Sequence, residues 1–401
     1  MPATAFQIQV APHAPTSVAT VTLPPLHILP SDLRPRCRAE ERIFQWRGVN
    51  SPPPSVLPIP IIQRMASLAS HASLSDTTAY GSGLRKFHLF CDIFSVSESD
   101  RLPAPFAVLH SFAIWAAADP DINDPTMAGT TPFEPVAVST VRKYLSAVRA
   151  WHIAQGWPAP LSADDHSRIN WSLRGLDRMQ QGRRSKLPRP PITLPMLAAL
   201  RRTLDISNPF DACIWAMACC SFWGMMRFGE VSVKSRNEFN SIRHITRAHV
   251  LFGHDLDGWP YARLDLPAAK TARPGETQSV FLSQQGETCP LEALRNLSQV
   301  VPAGPQDPLF SWRDRQGDLR PMVRDTAMHR INAVLHAWGW GTSFGHSFRI
   351  GGASFFLGQG VAPEVVRIAG RWKSLAYEVY IRAFEQVSSH HLGNLSQRYN
   401  L

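Results

Sequence analysis

The sequence predicts a mainly α (α+β) fold built as two helical domains, and three features carry that expectation. Apolar residues recur at helical spacing from about 62 to 182, and again from Pro290 onward. Between about 245 and 283 that period gives way to short alternating segments, the mark of a small hairpin. A polar, basic stretch closed by prolines, Gln180-Gln-Gly-Arg-Arg-Ser-Lys-Leu-Pro-Arg-Pro-Pro191, separates the two helical regions. The expected organisation is a disordered proline-rich arm over 1–61, a helical domain over 62–180, a basic linker over 181–192 and a second domain over 193–401.

The elements follow in order. Residues 1–60 hold twelve of the 34 prolines without periodicity, and proline at that density removes backbone donors and blocks helix. Ser75 and Asp76 precede an apolar-spaced stretch through Tyr80, Leu84, Phe87 and Phe90. Pro103 and Pro105 stand where a second helix through Leu109, Phe112 and Trp115 should begin. Val141, Tyr144, Leu145, Val148 and Trp151 form one apolar stripe of a third helix, with Arg142, Lys143 and Arg149 lying off it. A fourth helix is expected from Ala163 to Met179. In the second domain, Leu194 to Leu204 and Asp211 to Met226 read as helices, the latter almost wholly apolar and therefore central. Tyr261 to Leu266 and Gln278 to Leu282 read as hairpin strands around a turn at Arg273-Pro-Gly275.

The composition sets bounds. A chain of 401 residues that is 44% hydrophobic, with 12 Trp and 20 Phe, has material for real cores and is not wholly disordered. Lys and Arg outnumber Asp and Glu by 41 to 31, a formal charge of +10 that favours a polyanionic partner. The six cysteines show no CxxC spacing, so neither a disulfide framework nor a zinc site is expected. His390-His391 and His244 lack accompanying ligands, so no metal is expected either. The longest apolar run is shorter than the roughly twenty residues of a membrane span and ends at Arg227. No signal peptide opens the chain, and the expectation is a soluble, intracellular protein with no membrane partner.

Candidate chemistry lies in the second domain. Its central helix ends in Met226-Arg227-Phe-Gly-Glu230, and the hairpin carries Ala269-Lys270-Thr271. Then come Gly345-His346-Ser-Phe-Arg349, Gly370-Arg-Trp372-Lys-Ser374 and, eight residues past the tryptophan, Tyr380-Ile-Arg382. Each has a plain structural explanation when taken singly. An arginine closing a buried helix is a cap or surface residue, a lysine near a hairpin turn is solvated, and His346 and Arg349, sharing a helix face at i and i+3, are a structural pair. Trp372 and Tyr380 would then be packed aromatics. Gly351-Gly352 suits close helix packing and is no phosphate loop, since GxxxxGK[ST] is absent.

Together and in this order, Arg, Lys, His-x-x-Arg, Trp and Tyr resemble the tyrosine recombinase (phage integrase) family. The segments MMRFGE, GHSFRIGGAS and GRWKSLAYEVYIR are similar to its motif boxes, and the Trp-to-Tyr interval is most like that of eukaryotic Crypton and DIRS-type mobile-element recombinases. The resemblance implies a SAM-like helical core-binding domain before a mostly helical catalytic domain. It implies Tyr380 as nucleophile, Arg227 and Arg349 as ligands of the nonbridging phosphate oxygens, and Lys270 as proton donor to the 5′-hydroxyl leaving group. His346 would assist proton movement, and Trp372 would contact the phosphate with its single donor, standing where many relatives have histidine.

The chemistry is coherent, because a phenol titrating near about 10 must lose its proton as it attacks, and guanidiniums can hold the growing charge bidentately. Tyr377, three residues earlier, is the competing nucleophile, although Ile381-Arg382 matches the family context of Tyr380. The resemblance further implies double-stranded DNA as partner, a dimer or tetramer on paired sites, no cofactor, and a nuclear location. Arg142, Lys143 and Arg149, with Arg183, Arg184 and Lys186 of the linker, are the candidate backbone contacts. A DNA-binding protein that keeps this fold without strand exchange, a type IB topoisomerase, and a protein-interaction chain displaying the proline-rich arm are the alternatives.

Overall fold

The computed structural model describes residues 27–74, 76–118, 135–182, 189–269, 272 and 276–373. Its contacts divide the chain into two compact units, Met1–Lys186 and Leu187–Leu401. The described residues contain twelve α-helices and two small antiparallel sheets, a mainly α architecture.

The first unit comprises α1 (Arg42–Gln45), α2 (Pro60–Ala72), α3 (Thr77–Ile93), α4 (Phe106–Ala117), α5 (Val138–Ala154) and α6 (Ala163–Gln180). The capping chemistry is local. Asp76 accepts the Ala79 N–H to open α3, and Ser162 and Asp165 form a reciprocal capping box at the start of α6. The apolar stripe expected on α5 is buried at Val141, Val148 and Trp151, with Tyr144 and Leu145 partly buried against the same core. Trp151 donates its indole N–H to the Trp46 carbonyl at 2.8 Å.

That bond marks a correction. The proline-rich segment was expected to lack structure through residue 61, but Ile43 is fully buried and Trp46 nearly so within this core. Arg34 reaches Glu98 at 2.7 Å, and Arg101 reaches Asp92 at 2.7 Å. The physical reason is local composition: between the prolines, Ile43-Phe-Gln-Trp46 supplies enough apolar surface to dock a single helical turn.

Two buried histidines shape the pH response of this unit. His152 accepts the Ala104 N–H on Nε2 at 2.9 Å, so its proton sits on Nδ1, which donates to the Val148 carbonyl at 2.8 Å. Burial pushes this imidazole down to about 4. His88 lies among Trp46, Phe87 and Trp151, with no hydrogen-bond partner on either ring nitrogen among the described residues. Burial, then Arg34 and Arg101, hold it well below the ordinary histidine value. Both groups protonate in the unfolded chain as pH falls through about 6.5 but not in the folded one, so stability is lost below that pH. His88→Leu removes one such group and its unsatisfied nitrogens. It is expected to stabilise the unit by ~1 kcal/mol at neutral pH and by more at pH 5. Urea denaturation at the two pH values checks this, and a variant less stable at both would refute it.

The second unit comprises α7 (Leu194–Thr203), α8 (Pro209–Trp223), β1 (Val250–His254), β2 (Pro260–Leu266), β3 (Gln278–Ser283) and α9 (Pro290–Val300). After these come β4 (Ser311–Arg313), β5 (Leu319–Pro321), α10 (Arg324–Ala337), α11 (Gly345–Gly358) and α12 (Pro363–Ala369). The expected hairpin is a three-stranded antiparallel sheet in the order β1-β2-β3, with a separate β4-β5 pair. Strand β1 escapes a reading by periodicity because Leu251 and Phe252, adjacent in sequence, are both exposed.

Helix α8 is the axis of this unit. Every residue from Asp211 to Trp223 is buried. Asn208 caps its start, and Asp211 holds Arg330 of α10 through two hydrogen bonds of 3.0 and 2.8 Å. Gly351 and Gly352 of α11 let its backbone approach two others, since a Cβ at either would overlap the Ile192 or the Phe222 carbonyl oxygen. The six cysteines are unbridged: Cys37 and Cys91 belong to the first unit, Cys213, Cys219, Cys220 and Cys289 to the second, and all but Cys37 are buried. No helix among the described residues is long and apolar enough to cross a membrane.

Candidate active site

The exit of α8 builds one wall of the site. Gly224 ends the helix, Met225 takes a left-handed backbone (φ 44°), and the chain turns through Arg227 to Glu230. Val233 then anchors the segment, donating its N–H to Met322 and accepting from Arg324, each within 3.0 Å. Glu230 takes the Arg227 backbone N–H and its guanidinium, both at 2.9 Å. The two residues, three positions apart, are thus joined through both backbone and side chain.

Helix α11 supplies the second wall. His346 and Arg349 lie in its first turns, and Arg349 is only 1% exposed. Its guanidinium donates to the carbonyls of Met225 and Gly370, both at 2.5 Å, and lies 4.2 Å from the centre of the Trp372 ring. Trp372, 8% exposed, packs with Met225, Ala353, Leu357 and Val366. It is thus the platform beneath Arg349. Its ring also presses on Gly370, where any Cβ would overlap it.

The third wall is the turn after α12. Arg371 has a left-handed backbone (φ 58°) and donates Nη2 to Glu230 at 2.6 Å. A left-handed non-glycine residue costs about 1–2 kcal/mol, and the two among the described residues of this unit are Met225, whose own carbonyl accepts from Arg349, and Arg371, which follows the accepting Gly370. Arg371 is otherwise sealed off: its side chain is 7% exposed, and neither Nε nor Nη1 has a hydrogen-bond partner among the described residues. Leaving a buried donor unmade costs on the order of 1–3 kcal/mol, more for a charged group. Burial lowers this guanidinium from its ordinary value; Glu230 opposes that and Arg227 adds to it.

His346 reports the field of the whole cluster. Burial pushes its imidazole down to about 4, and the guanidiniums of Arg349, Arg189, Arg227 and Arg324 push in the same direction. At neutral pH the ring is therefore uncharged, with one nitrogen able to donate and the other to accept. Four arginines act on one imidazole, and Glu230 is the carboxylate that Arg227 and Arg371 share. Such an arrangement is suited to an anion: fixed donors surround a position where negative charge can be held, next to a neutral proton carrier.

Of the residues singled out in the sequence, Arg227, His346, Arg349 and Trp372 come together here, with Glu230. Lys270, Tyr377 and Tyr380 lie outside the described residues, as do Arg183, Arg184 and Lys186. Arg142, Lys143 and Arg149 are exposed on α5 in the first unit, Arg142 and Arg149 lining one surface cavity of about 220 Å³ with Leu145 and His166. Sequence reasoning missed Arg189, Arg324 and Arg371. Arg371 alone carried a signal, as the neighbour of Trp372 in Gly-Arg-Trp; the other two are ordinary basic residues at the start of the unit and of α10.

No family model and no curated protein matches this chain. Among solved structures, it is similar to the XerH site-specific recombinase bound to palindromic difH substrate, at 13% identity over 82% of each chain and a TM-score of 0.48. It is also similar to the Tn1549 transposon integrase in complex with transposon right end DNA, at 11% identity over 84% of this chain and 99% of that one, with a TM-score of 0.45. The FLP recombinase of a Holliday junction complex aligns at 12% identity over 80% of this chain and 78% of its own, with a TM-score of 0.32.

Proposed function

We propose that this chain is a site-specific recombinase or integrase that cleaves and rejoins DNA through a 3′-phosphotyrosyl intermediate. The observation that carries the reading is the convergence of Arg227, Arg349 and neutral His346 on one buried, cation-rich corner, in the chain order of the motif boxes that the sequence resembles. In this reading Arg227 and Arg349 hold the scissile phosphate, and Trp372 fixes the orientation of Arg349 from below. His346, uncharged at neutral pH, passes a proton without adding repulsion to the arginines. The Tyr380 oxygen attacks phosphorus as its phenolic proton passes to neutral His346, the bond to the 5′-oxygen breaks, and Lys270 delivers a proton to that oxygen. The phosphotyrosyl ester keeps the bond energy, so rejoining is the reverse attack by a 5′-hydroxyl and no high-energy cofactor is consumed.

Exposed Arg142, Lys143 and Arg149, with the linker cations, would contact the duplex backbone, giving affinity and a steep salt dependence with little sequence information. Work on paired sites implies a dimer or tetramer. A mobile-element origin of the Crypton or DIRS type, and action in the nucleus, complete the proposal.

Covalent trapping in cells tests it. The tagged protein is expressed, denatured and recovered under stringent washing, and attached DNA is sequenced, with Tyr380→Phe and Tyr377→Phe in parallel. The wild type is expected to carry DNA, and Tyr380→Phe is expected to abolish the adduct. Loss only in Tyr377→Phe would move the nucleophile. No adduct in any version, alongside salt-sensitive DNA binding, would replace strand exchange with a DNA-binding role.

A further inference from the structure

Glu230 raises a difficulty for an anion site: it places a carboxylate against Arg227, the more accessible of the two arginines that share it, with a side chain 24% exposed. An arriving phosphate has to take that guanidinium from its partner, and a buried carboxylate left alone would then repel the phosphate. The turn after α12 supplies what is missing. Arg371 grips the other oxygen of Glu230, at 2.6 Å, from a backbone held in the left-handed region.

We propose that Arg371 is a positioning residue of this pocket: it keeps Glu230 neutralised while Arg227 turns to the phosphate. Geometry supports the division of labour. Arg371 is 7% exposed and stays with the carboxylate, whereas Arg227 is bound to the same carboxylate from the open side. Among the described residues, Nε and Nη1 of Arg371 have no acceptor, and Glu230 is the side chain that receives its Nη2. The charge balance is simple. Arg227, Arg371 and Glu230 sum to one positive charge; removing Arg371 brings the sum to zero, removing Glu230 raises it by one, and removing both restores it.

The proposal rests on reading this corner as a phosphate site, and its test does not require strand cleavage. Inorganic phosphate is titrated calorimetrically, at low ionic strength, into the full-length wild type, Arg371→Gln, Glu230→Gln and the double variant. Arg371→Gln is expected to weaken phosphate binding roughly tenfold and Glu230→Gln to strengthen it by a similar factor, with the double variant returning close to wild type. Recovery in the double variant separates charge positioning from packing, because a purely structural loss of Arg371 is not repaired by removing its partner. Should Arg371→Gln fail to fold, Glu230→Gln and the double variant still decide. Unchanged binding in Glu230→Gln, a double variant as weak as Arg371→Gln, or no phosphate binding by the wild type would each overturn the proposal. Phosphate binding that follows the expected order with no covalent DNA adduct in cells would overturn the cleavage reading and leave this one standing.

Discussion

Arg349→Lys is expected to lower formation of the covalent DNA adduct by roughly 10²–10³, the usual loss when one preorganised donor to a developing oxyanion is removed. The substitution keeps the charge, so the size of the loss depends on shape. The guanidinium spans two carbonyls from different segments, Met225 and Gly370, with its carbon 4.2 Å from the centre of the Trp372 ring. A lysine ammonium is a single point at the end of a flexible stem and cannot bridge both while stacking. One carbonyl loses a charged donor, and stability should fall by about 2–3 kcal/mol. Adduct yield and a melting curve measured on the same preparation separate the two effects. Near-normal adduct formation would remove Arg349 from the chemistry and leave it as a structural clamp.

The second large effect is in the other unit. Trp151→Ala is expected to destabilise the first unit by about 3–5 kcal/mol, the range for deleting a buried aromatic. Trp151 is fully buried, its ring centre is 5.0 Å from His88 and 6.4 Å from Phe87, and its N–H reaches across to Trp46. Truncation therefore opens a cavity and also releases the segment around Trp46. Because the core of the second unit is separate, its melting should stay put. A denaturation curve in which both units shift together would contradict this division.

How much of this was legible follows from whether the signal was local. The α5 stripe, the all-round apolar α8, and the shared helix face of His346 and Arg349 are properties of residues within four positions of one another, and spacing alone exposes them. The docking of Ile43 and Trp46 was not legible, because the surrounding prolines dominate the composition while four residues decide the packing. Strand β1 was missed because a strand whose adjacent residues are both exposed has no alternation to read. Arg371 was the hardest case. Its partner Glu230 is 141 positions away, and its approach depends on one left-handed residue, which no periodicity encodes. The adjacent Trp372 drew the reading instead, and the structure gives that tryptophan a place under Arg349.

The distribution of cysteines makes each unit its own chemical clock. Only a thiolate is alkylated, and burial both hides these thiols and opposes their ionisation, pushing Cys91 up to about 12 and Cys219 well above its ordinary value. Labelling at Cys91 therefore waits for the first unit to open, and labelling at Cys213, Cys219, Cys220 or Cys289 waits for the second. Mass spectrometry of one timed alkylation would then resolve two opening rates in a single sample, with half-buried Cys37 as an internal reference for reagent activity.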